Sequence, residues 1–431
     1  MAGIGEVREY VIEATSRALL DRLDRYLPDN EYREYFRWAL SEQNPYRGLF
    51  RRNIALTQLG NLTAAMLWNL PGPRNWPTLV AHAVPVNVYQ VFEVISDNLG
   101  LGLAGKKPAE SADQRQLLLD FNTAAASDLK DPTAAPAAQL LADLKDSSAH
   151  FSGFALSLTD KYQLLTAKEY ENRTGRAKAE SLQHNIWSGL VANVESGRDV
   201  LTAIGETHTE PQVRAKTIER YEAVNQTLTA ESMSRQELVS TSRKAILVTP
   251  TLGYFAAIFG EILNYDPGYL RALNDGSLIT ALDTASLLVR LQNDIGTGLL
   301  AMHHADRTDL FANLAKKICH CSTAIELVSR AADHPQLNRF RKDIANGEFN
   351  ICLCEVHTID GVDKGLSILL DNLKYFADMY AQQAAVLRQH LDTLGRQLHD
   401  RRTIEVTRRF LRFHHNLYSH PYDTIAGDYA I

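Results

Sequence analysis

The stretch LLVRLQNDIGT, residues 287–297, decides both the fold and the chemistry that the sequence predicts. It lies within a long helical block, residues 234–304, that contains two short breaks. Asn293 and Thr297 stand four residues apart, so on a continuous helix their side-chain oxygens would lie on the same face. Such oxygens suit magnesium, which also binds substrate phosphates. The alternative is a helix with two exposed polar residues.

Composition favours helices throughout the chain. The 431 residues are 45% apolar, with only 24 glycines and 14 prolines, which suits long helices better than many short strands. Neither a strong alternation of period two nor an internal repeat is found. The sequence therefore predicts an all-α fold with a single domain over residues 1–431. Residues 105–138 are predicted to be an insertion, a looser polar connection with a short helix inside.

The net charge and the distribution of apolar residues limit which partners and which cellular location the sequence predicts. The net charge of -6 and the lack of a basic stripe argue against nucleic acid. The first ten residues lack an apolar signal core, so a cytoplasmic protein is predicted. The most apolar stretch, residues 245–263, is interrupted by Pro250 and Glu261. We therefore predict a buried helix that lines an apolar cavity, and no stable membrane insertion.

The four cysteines form two close pairs, Cys319/Cys321 and Cys352/Cys354, in segments that look helical. Residues two apart on a helix point in different directions, and tetrahedral zinc sites usually take ligands at wider spacings. Reduced, buried thiols are therefore predicted here instead of a zinc site.

Residues 293–301 resemble the second metal motif of class I terpene synthases, N-D-x-x-(S/T)-x-x-x-E. Asn293, Asp294 and Thr297 match this motif, whereas Ala301 stands at the Glu position. The resemblance implies a helical bundle around a central apolar cavity. It also implies that Asn293 and Thr297 bind magnesium and that Asp294 holds the ligand helix in place.

The sequence RKDIANGEFN, residues 341–350, matches the continuation that many microbial members of the family show after this motif. We infer that an insertion, about residues 298–340, splits the motif. Asp343 would then replace the missing acid as a catalytic metal ligand, and Lys342 would face the diphosphate. The alternative is that Lys342 and Asp343 are solvated helix charges.

The first metal motif of the family, D-D-x-x-(D/E), has a degraded counterpart in an apolar stretch, residues 79–103. Asp97 fits the first Asp, while Asn98 and Leu101 stand at the other acidic positions. Buried acids usually need a partner or a metal, so Asp97 is predicted to be a catalytic magnesium ligand. Glu93, one turn earlier, could supply a second carboxylate.

Two further residues are predicted to bind the diphosphate group of the substrate. The family places a diphosphate-sensing Arg about as far upstream as Arg243, which lies 50 residues before Asn293. Pro250 and Gly253 are predicted to break the helix soon after it, and a guanidinium suits phosphate oxygens. The alternative is a surface Arg. Near the C-terminus, where the family often has an Arg-Tyr pair, Tyr418 is assigned to the diphosphate.

Four aromatic residues are assigned to the cavity wall: Trp68, Tyr89, Phe92 and Phe255. Aromatic faces can stabilise carbocations through their quadrupole. The alternative is that these side chains are ordinary core residues.

Within the family, the chain looks closest to the fungal humulene synthases of tropolone-sesquiterpenoid pathways. This resemblance implies a sesquiterpene cyclase that uses three magnesium ions to ionise farnesyl diphosphate and cyclises the cation to α-humulene. The alternatives are a trans-prenyltransferase and a non-catalytic prenyl-binding protein. The acids lost at Leu101 and Ala301 favour the binding protein. The oligomeric state is left open, including a homodimer.

Overall fold

The computed structural model describes residues 3–71, 75–106, 108–131, 135–153, 160–230, 232–318 and 320–420. Within these ranges every regular element is a helix, and the only β-bridge pairs Thr323 with Gly361. The prediction of an all-α fold is confirmed for this part of the chain.

The first half of the described chain contains thirteen α-helices, several of them only one turn long. They are α1 Ile4–Asp21, α2 Leu23–Tyr26, α3 Glu31–Leu40, α4 Arg47–Asn53, α5 Leu56–Leu67, α6 Trp76–Asp97, α7 Ala112–Lys130, α8 Ala137–Leu140, α9 Leu144–Ser148, α10 Asp160–Thr174, α11 Ala179–Gln183, α12 Ile186–Ala203 and α13 Glu210–Thr229.

The second half includes the longest helix of the described chain. Its α-helices are α14 Arg235–Lys244, α15 Val248–Ala257, α16 Pro267–Asn274, α17 Ser277–Ile295, α18 Thr297–Ala301, α19 His304–Lys317, α20 Ala324–Arg330, α21 Asn338–Asn346, α22 Val362–Gln397 and α23 Arg402–Leu417. A π-helical turn, Ile258–Ile262, continues α15.

The helices pack around three clusters of buried apolar side chains. Helix α6 packs against α12 and α1, α7 packs against α13, and α17 packs against α15, α22 and α23. The largest cluster spans these helices. A second cluster lies among α1 to α5 and one face of α6, and a third lies between α17 and α22. The polar ends of α6 and α17 are therefore set on a large apolar core.

Helix α6 is the central helix of the first half. The Asn75 side chain caps its start by accepting a hydrogen bond from the Thr78 N–H, and Pro77 lies in the first turn. Together with the short 3-10 turn after it, Trp76–Gly100 is long and apolar enough to cross a membrane. However, 61% of its most apolar stretch is buried in the protein, and core helices of soluble proteins pass the same criterion.

The most apolar stretch of the sequence, residues 245–263, forms the bend after α14, then α15 and the π-helical turn. All ten residues of α15 are buried, which confirms the predicted buried helix. Helices α14 and α15 meet at 44°, but the break lies at residues 245–247 and not at Pro250 and Gly253. Pro250 is the third residue of α15, where its missing N–H costs nothing because first-turn N–H groups have no partner within the helix.

The end of α17 differs from the prediction. Gly296 has φ +87°, and it ends α17 at Ile295 before Thr297 begins the short helix α18. The prediction that Asn293 and Thr297 share one helix face is therefore wrong. A left-handed glycine turns the chain between them, and this conformation is accessible to glycine without steric cost.

The two predicted insertions have different outcomes. Residues 105–138 do not form a loose connection, because 19 of them make the core helix α7, which packs along α13. Sequence polarity was misleading there, since only one stripe of α7 is apolar. Residues 298–340 form most of α18, then α19, α20 and the start of α21, and pack on α22 around the third cluster. Their origin as an insertion stays a prediction.

Candidate functional site

Nine charged side chains lie together where α6, α13, α17 and α21 meet. We call them the polar cluster: Glu93, Asp97, Arg220, Arg290, Asp294, Arg339, Lys342, Asp343 and Glu348. Each member is connected to at least one other member by an ion pair or by an electrostatic interaction that shifts a pKa value. Three of the predicted site residues, Asp97, Lys342 and Asp343, belong to it.

Asp97 is the last residue of α6. Asp97 is exposed, yet partial desolvation by the surrounding protein raises the pKa of its carboxyl above the usual range. Arg220 and Lys342 oppose the shift in pKa, whereas Glu348 and Glu93 add to it. Asp97 is therefore an under-compensated acid, which a cation would stabilise.

Glu93, one turn before Asp97, has a full set of partners. Arg220 Nη2 lies 2.6 Å from Glu93 Oε2, and the hydroxyls of Tyr89 and Tyr221 donate to Glu93 Oε1 at 2.8 and 2.9 Å. Because these partners are buried, the carboxylate is held in place and is not free to bind a metal.

Arg220 is a member of the polar cluster that sequence reasoning missed. It is buried on α13, its guanidinium lies 4.8 Å from the centroid of the Tyr221 ring, and it interacts with Asp97. A signal was present in the sequence, since Val213, Thr217, Arg220 and Tyr221 recur at helical spacing. A cation inside such a stripe needs a buried anion.

Asp294 holds the end of α17. It is fully buried, and its Oδ2 accepts hydrogen bonds from Arg290 Nε and Nη2 at 3.1 and 2.8 Å and from the Ile351 N–H at 3.0 Å. These contacts fix the end of α17 against the segment that follows α21, and the role of Asp294 towards a metal stays a prediction.

Asn293 and Thr297 are both engaged by protein groups. Asn293 Oδ1 accepts a hydrogen bond from Arg339 Nη2 at 2.6 Å, and its carbonyl accepts one from Arg339 Nε at 2.6 Å. Thr297 Oγ1 donates to the His415 carbonyl at 2.9 Å, which leaves a lone pair available. Arg339, another residue that sequence reasoning missed, therefore occupies the amide oxygen that was assigned to magnesium.

Asp343 lies on α21 and is buried, not solvated as the alternative required. Its Oδ2 accepts a hydrogen bond from Asn350 Nδ2 at 2.7 Å, and the same amide group donates to the Asp294 carbonyl at 2.7 Å. Asp343 Oδ1 lies 3.3 Å from Lys342 Nζ and 4.0 Å from Arg339 Nη2 but accepts no hydrogen bond. The chain after residue 298 thus returns to the end of α17, as the split-motif hypothesis requires.

The charge of Asp343 is poorly compensated. Burial raises the pKa of Asp343 from the ordinary 3.8 to about 6, against the opposing effect of Lys342 and Arg339. Lys342 forms a close ion pair with Glu348, which also accepts a hydrogen bond from Asn346 Nδ2 at 2.7 Å. Burial disfavours the charged form of Glu348, but Lys342 lowers the pKa of that carboxyl below its usual value. Lys342 is therefore shared between two acids.

The raised pKa of Asp343 predicts a pH-dependent stability. A folded-state pKa above the unfolded value stabilises the fold below about pH 4, and this stabilisation is lost as the pH rises through about 6. The full loss is roughly 3 kcal/mol, of which about 2 kcal/mol falls between pH 4.5 and 7.5. The measurement is denaturant unfolding of the wild type and of Asp343→Asn in EDTA. The difference between their free energies of unfolding should change by about 2 kcal/mol between pH 4.5 and 7.5. A constant difference would contradict it.

Tyr418 lies beside the polar cluster, directly after α23. Its ring centroid is 4.8 Å from the Arg339 guanidinium, and burial raises the pKa of its hydroxyl while Arg339 and Lys342 oppose the shift. The Thr297 N–H donates to the Tyr418 carbonyl at 3.1 Å. The predicted diphosphate contact thus lies next to two cationic side chains.

Arg243 lies just before the bend between α14 and α15. Its carbonyl accepts a hydrogen bond from Ser286 Oγ at 2.8 Å. Because Ser286 precedes Asn293 by seven residues on α17, the Arg243 backbone lies roughly 10 Å along the helix from Asn293. Arg243 Nε is buried without a hydrogen-bond partner among the described residues. Its role towards diphosphate stays a prediction.

The four aromatic residues assigned to the cavity lie in different surroundings. Trp68 follows the end of α5 and is 39% exposed, so its assignment to an internal wall is wrong. Phe92 packs on Tyr26 and Phe36 in the second apolar cluster, on the opposite side of α6, so it is a core residue. Tyr89 contributes a hydroxyl to Glu93, and Phe255 is buried in the largest cluster.

The cysteines give no indication of zinc. Cys352 and Cys354 lie in turns and not in a helix, and burial raises the pKa of both thiols. Cys321 is a free thiol, and Cys319 lies outside the described residues. Among the residues that the structure describes, no group of three or more His, Cys, Asp or Glu side chains is arranged to hold a metal ion.

The predicted magnesium ligands fit a cation only in part. Asp97 and Asp343 fit, because both are acids whose pKa values are raised by burial, and Asp343 Oδ1 accepts no hydrogen bond. Asn293 does not fit as it stands, because Arg339 occupies its oxygen. Compared with known proteins, the chain matches no protein-family model, no curated protein and no solved structure.

Proposed function

We propose that the protein is a class I terpene cyclase that uses magnesium to ionise a linear prenyl diphosphate. The observation that carries the proposal is that Asp97 and Asp343, 246 positions apart in sequence, both interact with Glu348 and Lys342 at the meeting point of α6 and α21. In finer detail, we propose farnesyl diphosphate as the substrate and α-humulene as the product, following the family resemblance.

The charge balance of the polar cluster supports a requirement for divalent cations. It combines five carboxylates with four cationic side chains, so it has no excess positive charge to offer a diphosphate. A polyanion would be repelled unless cations were bound with it. Binding of farnesyl diphosphate is therefore expected to depend on magnesium.

In this proposal the residues of the polar cluster have separate roles. Magnesium, when bound, supplies positive charge for the departing diphosphate. Asp97 and Asp343 would hold the ions through their carboxylate oxygens. Arg220 and Lys342, the latter with Tyr418 beside it, would orient the diphosphate oxygens by charge-assisted hydrogen bonds. The surrounding apolar core would exclude water from the allylic cation.

Incubation with farnesyl diphosphate and magnesium, followed by gas chromatography of the extract, tests the proposal. We expect a cyclic hydrocarbon, with none formed when EDTA replaces magnesium. A longer prenyl diphosphate would identify a trans-prenyltransferase instead. A product that forms equally well in EDTA would contradict the metal-dependent mechanism.

A non-catalytic prenyl-diphosphate-binding protein is the second candidate. It is favoured by the hydrogen bond from Arg339 to Asn293 Oδ1 and by Leu101 and Ala301, which stand where the family has acids. Titration calorimetry with farnesyl diphosphate and magnesium separates the two. Heat of binding without any product would favour this candidate over the cyclase.

A further inference from the structure

A basic recess lies between the end of α22 and the start of α23. Its volume is about 800 Å³, and five arginines line it against three acids. The arginines are Arg396, Arg401, Arg402, Arg408 and Arg409.

Ion pairs neutralise three of these five arginines. Arg402 lies 2.5 Å from Asp400, Arg408 lies 3.1 Å from Asp392, and Arg409 lies 2.7 Å from Glu405. Arg396 and Arg401 are exposed and form no ion pair with any described residue. The recess therefore presents two uncompensated positive charges to solvent.

Exposed apolar side chains lie around the same recess. Of the six large apolar side chains that are exposed in the described chain, three lie within three residues along the chain of a residue that lines the recess, namely Tyr265 at 68%, Ile262 at 41% and Trp68 at 39%. Asn264, next to Tyr265, lines the recess, and Arg409 Nη1 donates a hydrogen bond to the Trp68 carbonyl at 2.5 Å.

This basic and aromatic surface lies at the end of the bundle opposite the polar cluster. Pro71, which lines the recess, precedes α6 by five residues, and α6 then runs for 22 residues, about 33 Å, from Trp76 to Asp97. Helix α23 begins at the recess with Arg402 and ends about 24 Å away at Leu417, next to Tyr418. The surface is therefore separate from the candidate functional site.

We propose that this end of the bundle docks on an anionic membrane surface, with phospholipid headgroups against the recess and the exposed rings among the headgroups. Basic side chains are attracted to anionic lipids, and Trp and Tyr favour the membrane–water interface. A free phosphate would account for the arginines but not for exposed Tyr265, Ile262 and Trp68. The proposal is independent of the enzymatic one, and docking in this orientation leaves the polar cluster facing away from the bilayer.

Sedimentation of the full chain with lipid vesicles tests docking. We expect binding to vesicles that contain phosphatidylserine, release by high salt, and little binding to vesicles of phosphatidylcholine alone. Absence of binding to the phosphatidylserine vesicles, or binding that salt does not change, would overturn the proposal. Stabilisation by inorganic phosphate without vesicle binding would also overturn it, because the recess would then be a site for a soluble anion.

Two variants test whether vesicle binding depends on the residues of this surface. Arg396→Gln with Arg401→Gln should weaken binding to anionic vesicles about thirtyfold, and Tyr265→Ala should weaken it roughly tenfold. The matched control is Lys364→Gln with Lys374→Gln, which removes two exposed charges from the same helix α22 at least about 33 Å away. Equal weakening by the lysine variant would show that the overall charge, and not this surface, is responsible.

Discussion

Replacing Asp343 with asparagine is expected to lower turnover of farnesyl diphosphate at least about 100-fold while the helical fold is retained. Asp343 is buried, and burial raises its pKa, so its charged form needs a cation that Lys342, already shared with Glu348, supplies only in part. Asparagine keeps the size and an oxygen for Asn350 but removes the charge that would hold magnesium. Gas chromatography of the products measures the loss, and circular dichroism checks the fold.

The matched control for this variant is Asp309→Asn. Asp309 is exposed on α19, within the segment predicted to be an insertion, and forms no ion pair with a described residue. Its replacement should leave turnover unchanged. If Asp343→Asn retained near-normal turnover, the split-motif hypothesis would fail, because the carboxylate would then not take part in metal binding.

Replacing Arg220 with methionine is expected to destabilise the fold by about 3–5 kcal/mol. The substitution leaves the Glu93 carboxylate buried with two tyrosine hydroxyls and no compensating charge. The free energy of unfolding from denaturant titration measures the effect. This result does not depend on any enzymatic function.

A double-mutant cycle isolates the ion pair from the other contacts of Arg220. Adding Glu93→Gln to Arg220→Met should restore most of the lost stability, because the neutral amide still accepts hydrogen bonds from Tyr89 and Tyr221. If the two effects were simply additive, the loss in Arg220→Met would come from packing against Tyr221 and not from the unpaired charge.

Local patterns in the sequence predicted part of the candidate site. The return of residues 341–350 to the end of α17 agrees with the order of residue types in that stretch, and Asp97 lies at the end of the apolar helix α6. Arg220 and Arg339 were missed because each pairs with a residue far away in sequence, Glu93 and Asn293 respectively. The spacing of residues within one helix does not indicate which residue of a distant helix a buried arginine will pair with.

The cavity residues illustrate the same limit. The sequence of an apolar helix does not show whether an aromatic residue faces a cavity or the core. The different surroundings of Phe92 and Tyr89 could therefore not be predicted from the sequence. Helix α6 is buried on several sides, and it directs Phe92 to the second apolar cluster and Tyr89 to Glu93.

By itself, the sequence determined that the described chain is helical and that its most apolar stretch is a buried helix, because periodicity and glycine and proline content act through local backbone and burial preferences. Only the tertiary structure decided which charges meet. It showed Gly296 separating Asn293 from Thr297, and Arg339 bound to the oxygen assigned to magnesium. The energy of a buried charge depends on what surrounds it in space, and neighbours in space come from helices that are distant in sequence.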